Sequence, residues 1–189
     1  MYTPDCWQSF TINVSNMNAL SFIINSTGKF SVEWEPGVIS YYNIPGSATR
    51  SHTYTSPYTG QVRISSPNLS RIKSFVTNSS SFTAAPLRSV TIFGTEIQKL
   101  VGLLTLNVGF GLDISLYCST SQLPSTLTSI SIYKGDLSGN LQYLPSGTTY
   151  LNVLGTSMTG NINQLPIGLT TCVIGGTNTV SGEIGRAHV

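Results

Sequence analysis

Hydrophobic and polar residues alternate along the first third of the chain. In the segment 10–14, for example, Phe10, Ile12 and Val14 are separated by single polar residues. This period of two is typical of β-strands, because successive side chains of a strand point to opposite faces. The same pattern predicts six short strands, at residues 10–14, 20–24, 29–34, 38–42, 51–54 and 61–64. Six short strands at close spacing predict a β-sandwich over residues 1–66.

A different pattern fills the last third of the chain, where a block beginning with Leu-Pro occurs three times. The leucines are Leu123, Leu144 and Leu165, so the period is 21 residues (144 − 123 and 165 − 144). A fixed period of this length predicts a solenoid, whose repeats bury their apolar sides against their neighbours. In each copy two apolar positions lie two residues apart, which predicts one strand per copy and parallel stacking at about 4.8 Å.

The return side of each copy is expected to be extended or a short 3₁₀ turn, since proline after each leucine excludes a helix there. We expect a tight turn or a positive φ at three glycines that also recur, Gly139, Gly160 and Gly182. Residues 67–122 carry the related pattern L-x-x-L-x-L at 87–92 and 103–108, with uneven spacing. The predicted organisation is therefore a sandwich (1–66), irregular repeats (67–122) and regular repeats (123–184). The fold class is mainly β with a parallel sheet and little helix.

Two resemblances follow from these motifs. The texts VEWEPG at 32–37, SHTY at 51–54 and GQVRI at 60–64 resemble the polycystic-kidney-disease-type (PKD-like) domains, which implies an immunoglobulin fold. The text GLTTCVIGGTNTVSG at 168–182 resembles bacterial leucine-rich repeats, of the kind found beside PKD-like domains in surface and phage-encoded proteins of gut-type bacteria. Together they imply a binding or adhesion protein of a cell surface or of a phage virion.

The composition narrows the function classes. Only 8% of the residues are charged and the net charge is +2, so the chain lacks the basic stripe that nucleic acid requires. The three cysteines show no metal-binding or disulfide spacing. No apolar run of about 20 residues predicts a membrane span, and no signal peptide is visible. We expect no cofactor, no metal and no membrane insertion, and an extracellular, cell-surface or virion location.

Strand alternation places one set of side chains on the outer face of the repeats, and these are the candidate binding residues. They combine hydroxyl, amide and aromatic groups, which suit contact with a protein or a glycan. A solvated sheet face of ordinary strand residues accounts for them equally well. The candidates are Phe93, Asn107, Ser129, Ser131, Tyr133, Tyr150, Asn152, Leu154, Thr171 and Val173.

Other side chains that attract attention have structural interpretations. His52 has no catalytic partner at a known motif spacing, and Trp34 lies on the apolar side of its strand, so we expect both to be structural. Cys118 and Cys172 are expected in the core, the latter in a column with Ile130 and Leu151. The tyrosines of the first third form either a binding patch or the aromatic sides of strands, and the sequence does not decide; they are Tyr41, Tyr42, Tyr54 and Tyr58.

The last five residues, GRAHV at 185–189, interrupt the repeat where a new Leu-Pro is expected. With the preceding Glu-Ile they match the translation of a common sequencing adapter, so we expect a non-native tail on a metagenomic fragment.

Three functions remain. The first is a non-enzymatic binding or adhesion module. The second is an accessory binding region of a larger secreted enzyme or phage tail protein. The third, an enzyme, is disfavoured because the seven acidic residues are dispersed and no catalytic motif is present.

Overall fold

A computed structural model describes residues 7–78, 89–110, 114–133 and 135–182. Cys6, Leu87, Ile184 and the predicted tail at 185–189 lie outside these ranges. Within the ranges, the chain forms thirteen strands that join in one sheet. The strands are β1 (Gln8–Ser26), β2 (Phe30–Glu35), β3 (Val38–Tyr42), β4 (Gly46–Ser66), β5 (Ile72–Asn78), β6 (Ser89–Phe93), β7 (Thr105–Phe110), β8 (Ile114–Ser119), β9 (Ser129–Ile132), β10 (Gly135–Asn140), β11 (Tyr150–Asn161), β12 (Thr171–Gly176) and β13 (Thr179–Ser181).

Helical structure in the described part of the chain is limited to short turns. One α-helical turn, α1 (Gly94–Ile97), follows β6. Four 3₁₀ turns connect other strands, at Leu69–Arg71, Thr120–Gln122, Leu141–Tyr143 and Ile162–Gln164. The last three recur every 21 residues, and each directly follows a strand, so both forms expected for the return side, extended chain and a short 3₁₀ turn, are present. None of the helices in the ranges above is long and apolar enough to cross a membrane.

The N-terminal region is not a β-sandwich, and the resemblance to PKD-like immunoglobulin-fold domains is wrong. Two predicted strands, 10–14 and 20–24, are one strand of 19 residues, β1. The polar break between them is absorbed by a bulge, where Asn16 takes a φ of +53° and the pairing shifts on both sides of Met17. Two further predicted strands, 51–54 and 61–64, likewise lie within the single strand β4.

The long strands β1 and β4 pair in antiparallel register from Gln8 opposite Ser66 to Ser26 opposite Gly46. The other edge of β1 is also paired, because Phe22–Ser26 bonds to β5 and Asn13–Ser15 bonds to β6. A separate sandwich needs a sheet that ends within residues 1–66. Here β1 continues directly into the sheet of the following residues.

The sheet closes on itself as a β-barrel, so the predicted leucine-rich-repeat solenoid is also wrong. Among the described strands, eight form the ring in the order β1-β5-β7-β9-β11-β10-β8-β6, and β6 pairs back to β1. β4, β2 and β3 extend outward from β1, and β12 and β13 pair with β11. The closure depends on the antiparallel pairing of β1 with both β5 and β6, which the 21-residue period does not encode.

The repeats contribute more strand than the sequence indicated. The first half of β11 pairs with β9, and its second half pairs with β10. Along β9, β11 and β12, Ile130 lies opposite Leu151 and Leu151 lies opposite Cys172, so paired residues are 21 positions apart. Along β8, β10 and β11, paired residues are 19 positions apart, since Leu116 lies opposite Gly135 and Ser138 lies opposite Ser157. Each copy thus supplies two strand segments in different registers, where the sequence predicted one.

The core lies on the inner side of the strands. Ile130, Leu151 and Trp34 are fully buried, and Cys118 is buried as predicted. Cys172 is exposed, so its prediction as a core residue is wrong. The register puts it in the expected column. In the part of the chain that is described, however, β12 pairs only with β11, and nothing pairs with its other edge to cover Cys172.

Candidate functional site

The ten residues proposed from the sequence divide into one contiguous surface and one separate position. The strands β7, β9, β11 and β12 pair in parallel, and their outward side chains fall into two rows. The first row is Thr105, Ser129, Tyr150 and Thr171, and the second is Asn107, Ser131, Asn152 and Val173. Tyr133 follows β9 directly, and Leu154 lies in β11. We call these ten residues the outer face; they are nine of the ten proposed residues together with Thr105.

At the centre of the outer face, one amide contacts two phenols. Nδ2 of Asn152 donates to the hydroxyl oxygen of Tyr133 at 3.3 Å and to that of Tyr150 at 3.4 Å. Tyr150 is 36% exposed and Tyr133 is half-buried, so both rings contribute to the surface. The backbone N–H of Tyr133 donates to the carbonyl oxygen of Val108 at 3.0 Å, and this bond holds Tyr133 just beyond the end of β9.

Two amide oxygens beneath this surface have no hydrogen-bond partner among the described protein atoms. They are Oδ1 of Asn107 and Oδ1 of Asn152, which flank the buried Ser131 across β7, β9 and β11. An enclosed acceptor without a partner costs about 1–3 kcal/mol. A row of unsatisfied amide oxygens beneath two tyrosines is therefore a place where a donor from water or from a ligand lowers the free energy.

Phe93 lies elsewhere. It belongs to β6, which is separated from β7 in the ring by β1 and β5. Its ring stacks on that of Tyr117 in β8, with 6.1 Å between centroids and 30° between planes. The structure therefore brings nine of the ten predicted residues together and leaves Phe93 in a separate aromatic pair.

The aromatic residues of the first third mostly pack against each other. Trp34 is fully buried, stacks on Phe22 and His52, and donates from Nε1 to the hydroxyl of Ser40 at 3.0 Å. The structural interpretation of Trp34 is thereby confirmed. His52 lies with Nε2 3.6 Å from the carboxylate of Glu35, a partner that the sequence did not predict.

The four tyrosines that could form either a binding patch or the aromatic sides of strands differ in their surroundings. Tyr54 is buried, stacks on Tyr58 and donates to the carbonyl of Trp34. Burial raises the pKa of Tyr54, with smaller contributions from Tyr58 and Glu35. Tyr42 stacks on Phe30 beneath the guanidinium of Arg50. Tyr41 is the one exposed member of the four, at 61%, whereas Tyr42 and Tyr58 are partly buried.

A cleft that was not predicted from the sequence lies on the outer side of β1, β4, β2 and β3. Its volume is about 520 Å³, and Trp7, Glu33, Tyr41 and Arg63 are among the residues that line it. The signal was present in the alternation of the third predicted strand. Phe30, Val32 and Trp34 point inward there, so Ser31 and Glu33 share the opposite face.

Within the described ranges, no group of three or more His, Cys, Asp or Glu side chains is placed to hold an ion. Comparison with known proteins adds no relative. No protein-family model, no curated protein and no solved structure matched the chain. The described residues offer two candidate binding surfaces, the outer face and the cleft.

Proposed function

We propose that this chain is a non-enzymatic binding module, which holds a peptide segment of a protein ligand against the outer face. The observation that carries the proposal is the contact of the Asn152 amide with the hydroxyls of Tyr133 and Tyr150. It links two partly exposed aromatic rings at the surface of one sheet.

Fixed tyrosines are efficient contact groups. A tyrosine offers a large amphipathic surface and has only two torsions to order, so little entropy is lost when it binds. Small hydroxyl and amide side chains beside it supply adaptable hydrogen bonds. The outer face has this composition, because Ser129 and Thr171 flank Tyr150 in the first row and Thr105 follows Ser129. Four neighbouring strands at about 4.8 Å spacing give a width of roughly 14 Å, enough for an extended peptide segment.

The chemistry of the outer face favours binding over catalysis. Its residues carry hydroxyl, amide, phenol and aliphatic groups, and none carries a carboxylate, an imidazole, a thiol or an amine. General acid–base catalysis near neutral pH needs a group with a pKa in that range. The absence of lysine and arginine from the outer face also disfavours a nucleic-acid ligand.

We place such a module outside the cell, on a bacterial surface or on a phage virion, because its surface is rich in Ser, Thr and Asn and poor in charge. It acts there alone or as an accessory region of a larger protein.

A displayed library of random peptides tests the proposal without a known ligand. Peptides are selected on the wild-type protein and then measured against the double variant Tyr133→Ala/Tyr150→Ala. We expect the selected peptides to lose at least about tenfold in affinity, since aromatic contacts of this kind account for much of an interface. The double variant Tyr133→Phe/Tyr150→Phe keeps the rings but loses the hydroxyl contacts to Asn152, and it should retain part of the affinity.

The matched control is Tyr143→Ala. Tyr143 is 57% exposed and lies in a 3₁₀ turn, not among the strand residues of the outer face. Its removal should leave peptide binding unchanged. Peptides that bind the Tyr133→Ala/Tyr150→Ala variant as tightly as the wild type, or a library that yields no binder, contradict the proposal. A glycan array run in parallel identifies a saccharide ligand of the outer face, which would contradict the assignment to a peptide.

A further inference from the structure

The cleft on the outer side of the N-terminal strands is built from two rows of side chains across four paired strands. In the first row the pairing places Ser9, Ser65, Ser31 and Tyr41 side by side on β1, β4, β2 and β3. The second row, two residues away and so on the same face, is Thr11, Arg63, Glu33 and Ile39, and the last three of these line the cleft. Hydroxyl groups therefore form most of one row, and a charged pair lies at the centre of the other.

The charged pair is held in place and is electrically balanced. Nη1 of Arg63 lies 3.5 Å from one carboxylate oxygen of Glu33, and the backbone N–H of Gly37 donates to the other oxygen at 3.3 Å. The arginine supplies donors and the carboxylate supplies acceptors, which together match the two hydrogen-bonding roles of neighbouring sugar hydroxyls. The pair carries no net charge, so it offers no net attraction to an anionic or a cationic ligand, and a neutral polar ligand suits it best.

Aromatic and apolar side chains complete the cleft. Trp7 and Tyr41 both line it, and Ile39 beside Tyr41 is 44% exposed. Exposed aromatic rings next to fixed polar groups suit a ligand with one apolar face and a polar rim, which describes a pyranose ring. The volume of about 520 Å³ lies within the range of small-molecule sites, roughly 300–1,000 Å³.

We propose that this cleft binds a neutral saccharide, which packs against Trp7 and Tyr41 and forms hydrogen bonds to Glu33 and Arg63. The site lies on β1 to β4 and shares no residue with the outer face. The proposal is therefore independent of the peptide-binding function above, and either can fail without the other.

The test begins with the full chain on an array of neutral, acidic and amino-containing glycans, followed by NMR titration of a neutral glycan that binds. We expect binding to neutral glycans, and a loss of at least about fivefold in affinity for Trp7→Ala and for Tyr41→Ala, since each removes a stacking ring. Tyr41→Phe keeps the ring and should bind like the wild type. Glu33→Gln, which removes the charge but keeps the shape, should also weaken binding.

Two controls separate this site from the other. Tyr143→Ala and Tyr133→Ala/Tyr150→Ala should both bind the neutral glycan with unchanged affinity, while far-ultraviolet circular dichroism shows that every variant is folded. The proposal is overturned if no neutral glycan binds, if only acidic or amino glycans bind, or if Trp7→Ala and Tyr41→Ala bind as tightly as the wild type. The proposal would also be overturned if a peptide from the displayed library bound at Trp7 and Tyr41 and neutral glycans did not bind there.

Discussion

The carboxylate of Glu96 accepts a hydrogen bond from the backbone N–H of Thr11, with 2.7 Å between Oε2 and nitrogen. The two residues are 85 positions apart in the sequence. Glu96 belongs to α1, which directly follows β6, and β6 pairs with β1 close to Thr11. The other carboxylate oxygen accepts from Nζ of Lys99, also at 2.7 Å. This partly buried contact therefore reinforces the seam at which the barrel closes.

Acid should weaken the seam. Burial alone raises the pKa of Glu96, but the hydrogen bonds from Lys99 and Thr11 outweigh it, and the net pKa lies below the ordinary 4.5. A carboxyl with a lowered pKa in the folded protein stabilises it fully above the unfolded-state pKa and loses this contribution as pH falls through the folded-state pKa. At neutral pH we expect Glu96→Gln to lower the free energy of unfolding by about 1–2 kcal/mol.

Urea unfolding of the wild type and of Glu96→Gln at a series of pH values measures this effect. The difference between the two proteins should be largest at neutral pH and should shrink as the pH falls below the ordinary pKa of 4.5. Glu33→Gln is the control, because its ion pair with Arg63 is partly exposed and should contribute less than about 1 kcal/mol. A difference for Glu96→Gln that stays constant down to the acid limit of folding contradicts the account.

The two described cysteines should react differently with a thiol reagent. Burial raises the pKa of the Cys118 thiol to about 12, so little thiolate exists at pH 8, and the side chain is only 4% exposed. Cys172 is exposed, although partial burial raises its pKa too. In a Cys6→Ser background we expect one slow labelling event in the native protein and a second only in denaturant.

Mass spectrometry after digestion assigns the labelled residue. Adding Cys172→Ser should abolish native labelling, whereas adding Cys118→Ser should leave it unchanged. Native labelling of Cys118 at a rate similar to Cys172 would contradict the burial of Cys118.

Threonines at the 21-residue period should stabilise the stacking of the repeats. The hydroxyl of Thr149 donates to the carbonyl of Thr128 at 3.2 Å, and the hydroxyl of Thr170 donates to the carbonyl of Thr149 at 2.9 Å. Thr149→Val removes one such bond and keeps the shape. We expect a loss of about 0.5–1 kcal/mol in thermal or urea unfolding. Thr149→Ser keeps the hydroxyl and should lose less than Thr149→Val; equal losses would remove the hydrogen bond from the explanation.

Gly160 should not tolerate a side chain. Its φ is +114°, and a Cβ at this position would lie 2.7 Å from Oδ1 of Asn140. We expect Gly160→Ala to cost about 1–3 kcal/mol, from the backbone conformation and the close contact together. Gly147 is the matched control, since a Cβ there meets no atom within 4 Å. Gly147→Ala should be neutral or slightly stabilising, and equal melting temperatures for the two variants would contradict the predicted turn geometry.

Local features of this fold were predictable from the sequence, and closure was not. The register of Ile130 with Leu151 follows from the 21-residue period, and the positive φ of Gly139 and Gly160 follows from their recurrence. The bulge at Asn16 joins two predicted strands, and no sequence period marks the pairing of Asn13 with Thr91 that closes the ring. Such pairings connect distant segments, so local patterns carry no information about them.

The same division applies to the candidate sites. Alternation identified Tyr133, Tyr150 and Asn152 as outward residues, because a strand's period fixes the face of each side chain. It did not separate Phe93 from them, since that requires the order of strands around the ring. The cleft with Trp7 and Arg63 combines strands from β1 to β4 and appears only after their pairing is known.

The most direct measurement of the central claim is a footprint of a selected peptide on the isotope-labelled protein by NMR. The account predicts that the largest amide shift changes fall on β7, β9 and β11, centred on Tyr133, Tyr150 and Asn152. Shift changes confined to β6 and β8 around Phe93 and Tyr117, or to the cleft around Trp7 and Tyr41, would show that the outer face is not the peptide-binding surface.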